Sequence, residues 1–587
     1  MPNLTFPVVP LLAQTNREFW LTTWASPFFL VGLGILGGLI LLGLFVVLFK
    51  GLSRIPVWEQ LSHRHNPAGH VVAGILTALM ALGAWQIVQQ QGFTGPAEGL
   101  EKILVFLSVL LLSAIIGWAL VFCAGRKSAD TLLSTLTEGA SSVLAFVALV
   151  VMVIGLLAGF AFRDPMSALT SIPRLFETGT QEVQLTIPGL DANVNPDEAP
   201  LVPNQLEFDS ALLTAVRLTT NRTIVLGDAP RSSDFVAAPR RLQADEELSW
   251  MRKDGQIPPI PMGADHILYI QNREVDDATV SVSLTTTPPV PESMTILQTA
   301  AIVLLVGLAL LLQQAVAPRA SAVALATVKN ELGQPLFLVL TILGTFLIVL
   351  FVFLSFYTFG EDIKLLKECG IVVIMLLAAF QGIWSASSSI SEEIDGRTAL
   401  TVLSKPIERR SFVIGKFLGI FWVVTLLFVI LGTIELAAVT YKPIYEAREN
   451  SLDMPTWQDC HREMVATLPG LALGLMQATV LSSISVALAT RLPQLANIAV
   501  CFGIYIVGHL ATAIVSGATE GFAIVKFVAQ LVSTIIPILE HFQMQAAIDA
   551  GSPITISLLC GTLIYCLLYV LLSMFLALLL FEDRDLA

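Results

Sequence analysis

Eleven stretches of about twenty apolar residues run through this chain, and they constrain its fold more than any other feature. A helix needs about 20 apolar residues to cross the hydrocarbon core of a bilayer. With 55% hydrophobic and only 13% charged residues, the composition is that of a chain whose main solvent is lipid. We therefore predict an all-α polytopic membrane protein with about eleven transmembrane helices. They lie near residues 28–49, 70–88, 103–124, 140–162, 295–316, 336–359, 370–389, 412–436, 467–490, 494–515 and 555–581.

One long segment, residues 163–293, interrupts the apolar pattern and is rich in Pro, Asp, Glu and Thr. Within it, residues 278–287 alternate, with Val280, Val282 and Leu284 on one face and hydroxyl side chains on the other. That alternation is typical of a half-buried antiparallel strand. We predict an inserted β-sandwich-like domain, and we expect its acidic residues to form a solvated surface rather than a cation site.

The positive charges of the short loops predict the orientation, because cytoplasmic loops are enriched in Lys and Arg. If the loop between residues 390 and 411 is cytoplasmic, alternation places the amino terminus and residues 163–293 outside and the carboxyl terminus inside. The first apolar run begins near Phe28 and is long, so we expect it to be retained as a span rather than removed as a signal peptide. The predicted location is the cell (plasma or inner) membrane.

The sequence gives little support for nucleic-acid binding or metal binding. The net charge is −13, and phosphate recognition requires clustered positive charge. The HxHx4H spacing of His63, His65 and His70 can form a metal site, but these residues lie in a short positive loop, and we expect a polar loop and no metal. Cys369 and Cys460 both fall on the predicted outer side, which leaves a disulfide between them open.

If the spans move a substrate, the chain has no evident source of energy for that movement. Intramembrane ionisable residues are the usual sites of ion coupling, and the last six spans hold almost none. We expect Lys416 and Glu435, near opposite ends of one span, to reach the interfaces. No GxxxxGK[ST] phosphate loop is present, so the chain is not expected to be an enzyme, and any driving force must come from a partner.

The predicted cytoplasmic loop is the best place for such a partner to bind. It begins with acidic residues, contains a leucine-rich stretch that can form a short amphipathic helix, and then reaches a proline and a basic group. On these residues alone, a merely solvated positive loop remains the alternative. The candidate coupling residues are Glu392, Glu393, Asp395, Gly396, Arg397, Thr398, Leu403, Pro406, Arg409 and Arg410.

This pattern, with the motif LSKP at 403–406, resembles the signature loop of ABC transporter permeases of the second exporter type. The resemblance covers about residues 318–587 and is closest to the branch of gliding-motility and copper-enzyme-maturation permeases, although the first 317 residues depart from the six-span pattern. It implies a coupling helix that fits a groove of the nucleotide-binding subunit. Glu392 and Glu393 would offer carboxylates to that subunit, Gly396 would let the helix turn, and Arg409 and Arg410 would anchor the next span.

Residues 324–335 resemble the connecting helix that precedes the first of the family's six spans. Val328 and Leu332 are predicted on one helical face, while Lys329 and Glu331 occupy the other. The resulting domains are a four-span region (1–162), the β-rich domain (163–293), a connecting transmembrane helix (294–317) and a six-span permease domain (318–587).

The resemblance implies a subunit of an ATP-driven exporter. Its partners would be an ABC ATPase subunit, a second permease copy or sister permease, and membrane lipids, with no nucleic acid. No cofactor is expected on this chain, since ATP and Mg²⁺ would be held by the ATPase. The alternative is a membrane anchor or scaffold whose extracytoplasmic β domain assembles an envelope complex.

Overall fold

The protein is described from a computed structural model, and two compact units are found: Met1–Phe162 with Ile296–Ala587, and Arg163–Thr295. The described residues are 20–63, 66–90, 99–125, 138, 140–160, 162, 165–190, 200–230, 239–252, 255, 258–260, 267–354, 361–392, 408–518, 524, 527, 530–531, 534–543 and 554–582.

The α-helices are numbered in chain order within the described residues. Those before the β strands are α1 (Trp20–Leu52), α2 (Pro56–Leu61), α3 (Pro67–Gln90), α4 (Leu100–Phe122), α5 (Ala140–Ala158) and α6 (Pro165–Arg174). Those after the strands are α7 (Met294–Val316), α8 (Pro318–Gly333), α9 (Pro335–Phe353), α10 (Asp362–Ala386), α11 (Arg409–Glu449), α12 (Trp457–Ala489), α13 (Gln494–Ala518) and α14 (Ile556–Glu582).

The predicted fold class is confirmed. In the described part of the chain, 10 helices are long and apolar enough to cross a membrane, and each coincides with a predicted span. The predicted span 370–389 falls on α10, which is not one of the ten and carries four charged residues in its first two turns. Its 25 residues rise about 37 Å, which is enough to cross.

Helices α11 and α12 form the core of the carboxyl-terminal part. In their most apolar stretches, 61% and 67% of the residues are buried, against 22% in both α13 and α14. The exposed apolar faces of α9, α13 and α14 are suited to lipid or to another membrane protein, because lipid tails are as apolar as these side chains.

Glycines let α8 pack directly on α11. A Cβ atom at Gly419 would lie 2.7 Å from Thr327 Cβ and 2.9 Å from the Ala324 carbonyl oxygen. At Gly415 it would lie 2.6 Å from the Ala320 carbonyl oxygen. The two glycines are four residues apart and therefore share one face of α11, which is the spacing by which small residues bring helices together in membranes.

The amino-terminal helix α1 joins this membrane unit through its aromatic end. Trp24 Nε1 donates a hydrogen bond of 3.1 Å to the Ala437 carbonyl oxygen of α11. The rings of Trp20 and Trp24 meet Tyr441 edge-on, with centroids 6.0 and 6.2 Å apart. The helices of the amino-terminal region therefore brace the carboxyl-terminal bundle.

The Arg163–Thr295 unit contains a sandwich of two four-stranded antiparallel sheets, ordered β1-β8-β3-β6 and β2-β7-β4-β5. The strands are β1 (Thr180–Ile187), β2 (Val202–Gln205), β3 (Leu213–Thr220), β4 (Ile224–Gly227), β5 (Arg240–Leu242), β6 (Glu247–Met251), β7 (Ile267–Asn272) and β8 (Ala278–Thr286). Side chains from both sheets form one hydrophobic core.

The alternation predicted for β8 is observed. Val280, Val282 and Leu284 are buried, and Val282 lies opposite Val183 of β1 and Leu218 of β3. β8 is thus a central strand, and its apolar face points into the core because the side-chain period of a strand is two.

Acidic residues in the turn after β7 pair with Arg222. Its guanidinium binds Glu274 at 3.2 Å and Asp276 at 2.8 Å. The backbone N–H of Thr223 donates to Glu274, and this hydrogen bond, assisted by Arg222, lowers the pKa of the Glu274 carboxyl. These carboxylates stabilise a turn at the surface.

Replacing Gly419 with Leu should separate α8 from α11, because the new side chain has no space. Overpacking of this kind costs about 1–3 kcal/mol or more. We expect a lower melting temperature in detergent, measured by size-exclusion chromatography after heating. Gly503→Leu on α13 is the matched control, since nothing lies within 4 Å of its Cβ position. Equal melting temperatures for the two variants would contradict the close packing.

Candidate functional site

The helix that leads into the predicted coupling loop changes its geometry before it ends. After Ala386, α10 continues as a π-helix over Ser387–Glu392. Such segments are rare and occur frequently at functional sites. Residues 393–407 lie outside the described residues, so the π-helix is the described approach to the loop.

Buried hydrogen bonds tie the π-helix to the two helices beside it. The Asn497 amide on α13 donates to Ser387 Oγ at 2.8 Å and to Ser485 Oγ on α12 at 3.0 Å. Ser485 Oγ in turn donates to the Ile383 carbonyl oxygen of α10 at 3.3 Å. Asn497, Ser387 and Ser485 are fully buried. Three helices are thereby joined at one level.

A second chain of hydrogen bonds joins α10 to α8. Gln381 Nε2 donates to Ser385 Oγ at 2.9 Å, and Ser385 Oγ donates to the Glu331 carboxylate. All three side chains are fully buried. We call the six residues Glu331, Gln381, Ser385, Ser387, Ser485 and Asn497 the polar network.

The placement of Glu331 corrects the predicted helical faces. The pattern predicts Glu331 on the polar face with Lys329, whereas its side chain is wholly buried. It lies three residues after Val328 and so shares the side of α8 that faces the bundle. A carboxylate is tolerated there because Ser385 supplies a hydrogen bond.

The other predicted residues of α8 lie close to expectation. Val328 is buried against Trp422 and Val423, and Leu332 packs beside them half-buried. Lys329 is exposed and lies 3.7 Å from Glu138. This helix therefore presents an apolar side to the bundle and a charged side away from it.

The structure describes part of the predicted coupling set. Glu393, Asp395, Gly396, Arg397, Thr398, Leu403 and Pro406 lie outside the described residues, and Glu392 is the last residue of the π-helix. Arg409 begins α11 and donates to the Glu582 carbonyl oxygen of α14 at 3.0 Å. Arg410 is exposed. The start of α11 is further tied to α8 by an ion pair of 2.8 Å between Glu408 and Arg319.

A buried ionic cluster lies at the other end of the same helices. Lys367 of α10 pairs with Glu463 of α12. Lys442 of α11 lies 3.5 Å from Asp362 and donates to the Val352 carbonyl oxygen at 3.1 Å. Glu435 is fully buried, and its carboxylate lies against Gly370, where any Cβ atom would overlap it. We call Asp362, Lys367, Glu435, Lys442 and Glu463 the ionic cluster.

Of this cluster, Glu435 alone lies within a predicted span, while Asp362, Lys367, Lys442 and Glu463 lie on helical segments beyond the predicted span ends. Lys416 and Glu435 are 6% and 0% exposed, so neither extends to an interface as the sequence predicts. The predicted span ends at 436, but α11 continues unbroken to Glu449. The sequence does carry a signal for this longer helix. Residues 437–449 contain no glycine and no turn sequence, and Pro443 alone interrupts their helical pattern.

Potential metal ligands are dispersed over the described part of the chain. No group of three or more potential ligands is found among the described residues, which leave out His65. His70 lies against Trp118 and Phe122, with ring centroids 5.4 and 5.0 Å away. Cys369 and Cys460 are both free thiols, so the disulfide left open by the sequence is not formed.

Comparison with known families identifies the class of this membrane unit. The family model of ABC-2 family transporter proteins matches residues 290–586, which is half of the chain. The chain belongs to this family, and it is a membrane permease component of an ABC transporter, a class that in general works with an ABC ATPase. The match includes α7, which the sequence pattern separates from the permease domain as a connecting helix. No curated protein matches the chain.

Asn497→Ala tests the polar network, because it removes the amide that joins Ser387 to Ser485. Leaving buried polar groups without their partner costs about 1–3 kcal/mol. We expect a lower melting temperature in detergent. Asn330→Ala, on the exposed side of α8, should leave the melting temperature unchanged. Equal melting temperatures for Asn497→Ala and Asn330→Ala would show that the polar network does not stabilise the protein.

Lys442→Met tests the ionic cluster by removing a fully buried cation from its pair with Asp362. Breaking a fully buried pair costs about 3–5 kcal/mol, and because the Asp362 side chain is 17% exposed we expect a cost near the lower end of that range. Lys364→Met removes the cation of an exposed pair with Glu361 and should cost less than about 1 kcal/mol. The melting temperatures of both variants give the comparison, and a stable Lys442→Met protein would contradict the assignment.

Proposed function

We propose that this chain is the membrane subunit of an ATP-driven exporter, and that residues 393–407 are the loop through which a separate ATPase subunit moves it. One observation carries this proposal. The π-helix Ser387–Glu392, which leads into the loop, is hydrogen-bonded to Asn497 of α13 and through it to Ser485 of α12. The last turns of α10 before it are hydrogen-bonded to α8 and α12.

A displacement of the loop would therefore act on several helices at once. Side chains that are buried and hydrogen-bonded to one another move together, because separating them exposes unsatisfied polar groups. Arg409 and the Glu408–Arg319 pair would hold the far side of the loop to α14 and α8. In this mechanism ATP binding and hydrolysis rock the loop, and the bundle responds by a rigid-body change.

The partners follow from this mechanism. Two ATPase subunits would bind ATP and Mg²⁺, and this chain would bind neither. Its six-span domain, 318–587, would pair with a second copy or a sister permease, so that cargo passes between paired bundles. We place residues 393–407 and the carboxyl terminus in the cytoplasm and residues 163–293 outside, in the cell membrane. Within the family, we assign the chain to the gliding-motility and copper-enzyme-maturation branch on its loop motif.

The loop is tested by reversing two charges, with Glu392→Lys and Glu393→Lys combined. These carboxylates are proposed to bind basic residues of the ATPase, so the reversal places like charges together and weakens the complex. We expect the tagged wild-type protein, gently solubilised, to retain an ATPase, and the variant to lose most of that activity. Glu361→Lys, an exposed charge reversal at the start of α10, should retain it.

Two results would overturn the proposal in different ways. A double variant that keeps both the ATPase and its activity would move the coupling site away from Glu392 and Glu393. A wild-type chain that purifies with no ATPase at all would favour the scaffold function, in which the sandwich unit assembles an envelope complex. Binding of envelope proteins to the full chain would then be the next measurement.

A further inference from the structure

A cavity of about 290 Å³ lies among α10, α12, α13 and the 3₁₀ turn Leu539–Phe542. A cavity of about 150 Å³ is large enough to hold benzene. This one therefore has room for an aromatic ring and a short chain attached to it. Nothing in the coupling mechanism uses this space.

The wall of the cavity is apolar on one part and polar on another. Ile371, Val372 and Met375 of α10, with Phe542, supply the apolar part. Glu368, Gln477 and His509 are among the residues that supply the polar part. An apolar wall with a few placed polar groups is the usual composition of a small-molecule site.

Two contacts hold His509 in the polar part of the wall. Its Nδ1 atom lies 3.0 Å from the Tyr505 carbonyl oxygen. Its Nε2 atom lies 3.1 Å from the Gln477 side-chain amide. The Gln477 amide, which carries both donors and an acceptor, is thereby held at the same wall.

The described lining of the cavity contains an acidic residue, Glu368, and no Lys or Arg. The Gln477 side-chain amide can present a second acceptor at the same wall. The aromatic rings of Tyr505 and Phe542 also line the space, and ring faces attract cations. Acceptors and aromatic rings together favour a ligand that is a cation and a hydrogen-bond donor.

We propose that this cavity binds a small amphipathic amine, with its ammonium group at Glu368 and Gln477 and its apolar part against Ile371, Val372 and Met375. That such a compound is cargo rests on the exporter function proposed above. The binding itself needs neither ATP nor a partner subunit.

Cys369 gives a direct test because it lines the cavity, whereas Cys560 does not, and both thiols are half-buried. The rate at which N-ethylmaleimide labels each thiol is measured by mass spectrometry on the full chain in lipid nanodiscs. The probe is 4-phenylbutylamine, and 4-phenyl-1-butanol is the neutral compound of the same size. We expect the amine to slow labelling of Cys369 several-fold, the alcohol to have little effect, and Cys560 to be unaffected by either.

Glu368→Gln should remove the preference for the amine, since a hydrogen bond to a charged group is worth about tenfold or more in binding. Glu361→Gln, at the residue that precedes the same helix and lies outside the cavity lining, should keep it. Equilibrium binding of tritiated 4-phenylbutylamine to the same proteins is the second readout, and it does not depend on the reactivity of Cys369.

Equal protection by the amine and the alcohol, or equal binding of the amine by the wild-type protein and Glu368→Gln, would overturn the proposal. Absence of tritiated-amine binding would also overturn it. If the ATPase still co-purifies in that case, the exporter function stands and only the ligand class is wrong. If the amine binds but no ATPase is found, the cavity stands and the exporter function fails.

Discussion

The hydrogen bond from Ser385 to Glu331 is the interaction on which one whole end of the membrane bundle depends. Glu331 is a carboxylate with no exposure, in a part of the protein surrounded by apolar helices. Burying such a group is costly unless it is bonded, so α8 and α10 must keep their relative positions. Gly415 and Gly419 make this arrangement possible, because they let α8 lie against α11 at a distance that side chains would prevent. The polar network then extends the constraint to α12 and α13.

The sequence predicted those parts of the fold that depend on local periodicity. Long apolar runs identified the membrane helices, because lipid leaves the backbone no other partner than its own helix. Alternation identified β8, where Val280, Val282 and Leu284 point to one core. The loop motif at 403–406 and the positions of Val328 and Lys329 pointed to the family that the comparison then identified.

The remaining features depend on partners distant in sequence, and local patterns do not encode these. Glu331 looks like a surface residue until Ser385, 54 positions away, is placed beside it. Lys367 and Glu463 are 96 positions apart and seemed to lie in separate outer loops. Lys442 lies beyond the predicted span end at 436, but α11 continues past it to Glu449, and Lys442 is buried against Asp362 and Val352, which are distant in sequence. The sequence did not predict the cavity for the same reason. Glu368 and His509 lie on different helices, and neither helix has a sequence pattern that shows the two to be neighbours.

Helix α11 is 41 residues long and has no break between Arg409, beside the proposed coupling loop, and Lys442 in the ionic cluster. At 1.5 Å per residue, these two residues are about 50 Å apart along the axis. Such a helix can act as a lever. A tilt of about 5° around one end would move the other sideways by about 4 Å, somewhat less than the rise of about 5.4 Å of one helical turn. A displacement applied near Arg409 would therefore shift the side chains packed around Lys442 sideways, without any bending of the helix that carries it.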